Sequence, residues 1–75
     1  NDKSLFNRQI GEKLRKLRKA NKKSQATVGS DFSLSQDTIS EIELGKRPLD
    51  AFELASFSRY YEKSIVYFFM NSKLN

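Results

Sequence analysis

The stretch Ser24-Gln25-Ala26-Thr27-Val28-Gly29-Ser30-Asp31-Phe32-Ser33-Leu34-Ser35-Gln36-Asp37-Thr38-Ile39-Ser40-Glu41-Ile42-Glu43-Leu44-Gly45 decides how this chain folds. Ser24 is a favoured N-cap, and Val28 and Phe32 stand one helical turn apart, which predicts a short helix over 25–32. Ser33-Leu34-Ser35 breaks the pattern, and Ser35 supplies a second N-cap. Ile39 and Ile42 then form a second apolar stripe over 36–43. Gly45 closes it, because glycine enters the left-handed region past a helix end without steric cost. Two short helices joined by a three-residue turn are the most specific pattern in the sequence.

Outward from this pair, Phe6, Ile10, Leu14 and Leu17 recur at spacings of four, four and three, so a first helix is predicted over about 5–20, ended by Asn21-Lys22-Lys23. Asp50 can cap a fourth helix over about 50–60 carrying Phe52, Leu54, Ala55 and Phe57. Ser64 can cap a fifth over about 64–70 through Ile65, Tyr67, Phe68 and Phe69. Ile65, Phe68 and Phe69 are expected to pack under helix one. No segment alternates as a strand, and no repeat or linker divides the chain. The expectation is an all-α, compact five-helix bundle forming one domain over 1–75.

The composition removes most chemistry. With 75 residues and neither cysteine nor histidine, the chain offers no disulfide, no thiol or imidazole catalyst and none of the usual zinc ligand sets. Its carboxylates are scattered and it has no phosphate-binding glycine loop, so it reads as a non-enzyme with no metal and no cofactor. No apolar run reaches the roughly 18–20 residues of a membrane span, and the charged N-terminus has no signal-peptide core. No membrane partner and a cytoplasmic location are therefore expected. Net charge is +5, unevenly spread: residues 1–23 hold nine Lys/Arg against Asp2 and Glu12, whereas the rest holds five against seven acids. Such a cationic N-terminal third suits a polyanion, nucleic acid ahead of an anionic membrane surface, and also suits a merely solvated helix face.

Ile10-Gly11-Glu12-Lys13-Leu14-Arg15, Ser24-Gln25, Ser35-Gln36-Asp37-Thr38-Ile39-Ser40-Glu41-Ile42-Glu43, Gly45-Lys46-Arg47 and Ser64-Ile65 together resemble the phage repressor and Cro type of helix-turn-helix, the xenobiotic-response-element family. The resemblance runs from Ile10 to Phe69 and implies a lambda-repressor-like fold whose helix-turn-helix spans Ser24 to Leu44. It further implies a bacterial or phage regulator that binds double-stranded DNA as a homodimer. Gln36, in the first turn of the recognition helix, is the leading base reader, since its amide can pair with adenine N6 and N7. Thr38 can offer its methyl to thymine or its hydroxyl to a phosphate. Asp37 and Glu41 have two readings: acceptors from cytosine N4, or carboxylates held by the helix dipole and by water.

Backbone contacts are expected from Gln25, which in the family also braces the recognition helix, from Lys46 and Arg47 just past it, and from Lys22 and Lys23 before helix two. Ser24 and Ser35 can touch phosphates too, although capping accounts for both without DNA. Arg18 and Glu43 match the family's structural ion pair between helix one and the end of helix three. Two positions depart from the pattern. Gly29 stands where alanine is usual and Ser33 where glycine is usual, so Ser33 must accept the turn's backbone and an altered or longer turn is expected. The C-terminal aromatic run exceeds what one small domain hides, which points to Tyr67 and Met70 as dimer contacts. The function expected is transcriptional repression at a pseudo-palindromic operator. The alternative is an antitoxin or interaction module that mainly binds a protein partner, with room for an additional C-terminal domain.

Overall fold

The computed structural model describes residues 2–70, and all its regular structure is helical. Four α-helices follow in order, α1 Asp2–Ala20, α2 Gln25–Phe32, α3 Gln36–Glu43 and α4 Ala51–Tyr60, and then a 3-10 turn, Ile65–Phe69. The expected fifth helix is thus only this turn. Five residues leave room for little more than one i→i+3 cycle: the Tyr67 N–H donates to the Ser64 carbonyl at 3.0 Å, and the Met70 N–H to that of Tyr67.

Every α-helix after the first is opened by a side chain. Ser24 accepts from the Thr27 N–H at 3.0 Å and Ser35 from the Thr38 N–H at 3.1 Å. Asp50 accepts from the Glu53 N–H at 2.7 Å while Glu53 accepts from the Asp50 N–H at 3.1 Å, a reciprocal capping box. All four helices also end in one way. A residue with positive φ follows each of them: Lys22 (57°), Ser33 (57°), Gly45 (78°) and Glu62 (56°). The next N–H, from Lys23, Leu34, Lys46 or Lys63, reaches back five residues to the carbonyl of Arg18, Gly29, Glu41 or Ser58. This pattern satisfies carbonyls that a helix end would otherwise leave bare.

The turn between α2 and α3 keeps three residues, so it is not lengthened. Ser33 takes the left-handed conformation there, and Gly29 supplies the close approach, since a Cβ on Gly29 would lie 2.6 Å from the Leu34 carbonyl oxygen. The core gathers Ile10, Leu14 and Leu17 of α1, Val28 of α2, Ile39 and Ile42 of α3, Leu54 and Phe57 of α4, then Tyr61 and Phe68. Two residues expected to pack under helix one lie outside it, Phe69 at 54% exposed and Ile65 at 39%, and on α4 Phe52 is 76% exposed. On α4 the buried positions Leu54, Phe57 and Ser58 form one stripe at spacings of three and four that Phe52 does not share. Within the 3-10 turn Phe68 alone is fully buried, Tyr67 packs half-buried against the core, and Phe69 stacks on Phe6 with ring centroids 5.7 Å apart.

Candidate nucleic-acid interface

The α2–turn–α3 unit is braced from within. Arg18 of α1 donates from Nε to Glu43 Oε2 at 2.7 Å and from Nη2 to Oε1 at 3.1 Å, and both side chains are buried. Its Nη1 donates to the Lys23 carbonyl at 2.9 Å. Gln25, at the start of α2, donates from Nε2 to the same Glu43 Oε1 at 3.2 Å. One carboxylate at the end of α3 therefore holds α1 and α2 together. The hydrogen bond to Glu43 raises the Arg18 pKa above its already high value, so the guanidinium stays charged.

Gln36, Asp37 and Glu41 lie on the solvent side of α3, while Ile39, Ile42 and Glu43 face inward. Thr38 is half-buried, and its hydroxyl is paired with that of Ser35 at 2.9 Å. The same arrangement recurs at α2, where Ser24 Oγ donates to Thr27 Oγ1 at 3.0 Å. Both cap serines remain exposed.

The expected cationic contacts divide. Lys22 and Lys46 are exposed, and neither forms an ion pair or side-chain hydrogen bond with any described residue. Arg47 is engaged instead: Nη2 donates to Glu53 Oε2 at 2.9 Å, which lowers the Glu53 pKa, while Nη1 is buried without a hydrogen-bond partner among the described residues. Lys23 is engaged as well, donating to the Tyr60 hydroxyl at 3.0 Å and lying 3.6 Å from Asp31. Tyr60 in turn donates to Asp31 Oδ2 at 2.6 Å, which ties the α1–α2 turn and α2 to α4. Sequence reading missed this Lys23–Tyr60–Asp31 cluster, because Tyr60 lies 37 residues from Lys23 and carries no local signal of the pairing.

Tyr67 is half-buried, with the Lys13 and Lys63 ammonium groups each 5.1 Å from its ring centroid, and Lys13 also donates to the Tyr67 and Met70 carbonyls. Met70 is exposed, as are Val66 and Phe69 beside it. Among the described residues no group of His, Cys, Asp or Glu could hold a metal ion, and no helix is long and apolar enough to cross a membrane.

A short helix presented to solvent, entered by a tight turn from a second short helix and braced by a long first one, is the scaffold of helix-turn-helix domains, which place that presented helix in the DNA major groove. Residues 9–64 match the family described as "Helix-turn-helix domain", and the chain belongs to it. No curated protein and no solved structure matches the chain.

Proposed function

We propose that this domain is a sequence-specific DNA-binding transcriptional regulator, a repressor that occupies a pseudo-palindromic operator as a homodimer. The observation that carries the reading is the α3 face: Gln36, Asp37 and Glu41 are open to solvent on a helix whose opposite face is fixed by Ile39, Ile42 and the Arg18–Glu43 pair. Base-reading side chains near the start of a recognition helix need both freedom at their tips and a fixed backbone. Gln36 reads an adenine edge, and Asp37 and Glu41 accept from cytosine amino groups. Lys46 and Lys22 neutralise phosphates, with Ser24, Ser35 and the N-terminal amides of α2 at Gln25 adding register contacts. Arg47 and Lys23 serve the scaffold through Glu53 and Tyr60. Tyr67 and Met70 belong to the pairing surface, which sets two half-sites about one helical turn, roughly 34 Å, apart. The domain acts by occupancy, without catalysis or a cofactor.

The test is duplex binding across a salt series with two variants. Gln36→Ala should relax preference at one base pair by about 1–3 kcal/mol, whereas Lys46→Ala should weaken all sequences and reduce the salt slope by about one. Absence of salt-sensitive duplex binding by the wild type would reject the reading. A second reading, an interaction or antitoxin module, draws on the acidic character of the exposed α3 face, where Asp37 and Glu41 face solvent with no cation beside them on that helix. It is distinguished by a stable protein complex that persists when Gln36 is changed and that excludes DNA.

A further inference from the structure

The family match begins at residue 9, but α1 begins at Asp2, so nearly two helical turns precede the shared unit. They are packed against a specific place. A Cβ on Gly45 would lie 2.7 Å from both Cα and Cγ of Arg8, so the backbone after α3 runs directly against the Arg8 stem. Gly45 is doubly constrained there, by this approach and by its φ of 78°.

The contact leaves an open cleft of about 560 Å³ between the start of α1 and the end of the recognition helix. Lys3, Asn7 and Arg8 line one side and Gly45 and Lys46 the other, and no carboxylate lines it. Lys3, Arg8 and Lys46 are all exposed, and none has an ion pair or side-chain hydrogen bond with a described residue. Lys22 is equally free, whereas Arg18, Lys23 and Arg47 are each paired with a carboxylate. Three like charges lining one cleft that no carboxylate lines repel one another, and an anion placed among them relieves that repulsion.

We propose that the Lys3–Arg8–Lys46 cleft binds a phosphodiester group of the DNA backbone, extending the interface beyond the shared helix-turn-helix unit. The proposal rests on the DNA-binding reading. A helix that places its first turn in the major groove brings its far end to the groove's rim, where the sugar-phosphate strand passes. Gly45 and Lys46 stand at that far end, and α1 sets Lys3 and Arg8 beside them. The arginine fork suits two phosphate oxygens, and Lys3 and Lys46 add point charges. Asn7 contributes an amide donor.

The experiment measures binding of the whole chain to a random-sequence duplex of about 30 base pairs, from roughly 50 to 300 mM sodium chloride. Lys3→Gln/Arg8→Gln is compared with wild type and with Lys19→Gln, a cation about 17 Å further along α1 from Arg8. The double variant should lose up to about 0.9 from the magnitude of the salt slope, the value for one phosphate contact, with base preference on selected sites unchanged. Lys19→Gln should leave the slope near wild type. If the double variant does not fold, Lys3→Gln in the exposed first turn should still lower the slope measurably below that of Lys19→Gln, by part of the roughly 0.9 of one phosphate contact. A double variant whose slope equals that of Lys19→Gln overturns the proposal while leaving the DNA reading intact. A wild type without salt-dependent duplex binding overturns both. Thermal stabilisation by inorganic phosphate that the double variant loses, with an unchanged duplex slope, assigns the cleft to free phosphate and likewise overturns the proposal.

Discussion

Arg18 makes three hydrogen bonds from one guanidinium, two to Glu43 and one to the Lys23 carbonyl, and Glu43 accepts a further one from Gln25. A buried charge with this many partners is costly to strand. Glu43→Ala should therefore destabilise the fold by about 3–5 kcal/mol, because it leaves the guanidinium uncompensated inside the domain. Chemical denaturation measures that loss, and base preference per folded molecule should be unchanged, since Glu43 faces inward. The adjacent pair Lys46-Arg47 shows how neighbours in sequence take different parts. Lys46 is open to solvent, whereas Arg47 lies against Glu53 six residues on. Residue type and position place both just past α3 and suggest one role for the two. Only the reach of α4 back toward the loop separates them.

At the scale of the element, the starts of the capped helices and the glycine-closed end of α3 were legible, whereas the start of α1, expected near residue 5 and found at Asp2, and the left-handed backbone at the other ends were not. Ser24, Ser35, Asp50 and Ser64 all act as N-caps through their own side-chain oxygens, the chemistry that makes those residue types readable. The ends use a left-handed residue each time, and only one of the four is glycine. Lys22 and Glu62 give no local sign of that backbone, because tertiary packing and the five-residue return bond impose it on ordinary side chains. Ser33 is the instance within the helix-turn-helix itself. A non-glycine residue there carries about 1–2 kcal/mol of steric cost, partly offset by the greater unfolded-state freedom of glycine. Ser33→Gly should stabilise the domain by about 0.5–1 kcal/mol in thermal or denaturant melts, with the turn's geometry and DNA preference retained. The apolar stripes were equally uneven as guides. Leu54 and Phe57 are buried as their spacing suggests, while Phe52, Ile65 and Phe69 are left to solvent because short elements have only one face to bury.

Across the whole molecule, the positive charge and the exposed face of α3 occupy different places. The cations concentrate in α1 and after Gly45, and the exposed face of α3 is acidic, so affinity and base preference should respond to different substitutions. Charge also sets the alkaline limit of the fold. Burial is the largest cause raising the phenol pKa values of Tyr60 and Tyr61 above the ordinary 10.0, and the Tyr60 hydrogen bond raises that of Lys23 above 10.5. Groups whose folded values are raised contribute stability that is complete below the unfolded value and fades as pH climbs through the folded one. Melting temperature should therefore fall steeply above about pH 10, and Tyr61→Phe should make that fall shallower. An unchanged slope in the variant would remove Tyr61 from the account. The Arg18–Glu43–Gln25 junction has a mechanical consequence as well. Because one carboxylate clamps three helices, α3 cannot tilt or slide without breaking buried bonds, so in a complex the compliant partner is the duplex. Groove width and helical twist at base pairs the protein never touches would then enter the affinity as elastic work, and sites with equal contacts would rank by the flexibility of the steps between them.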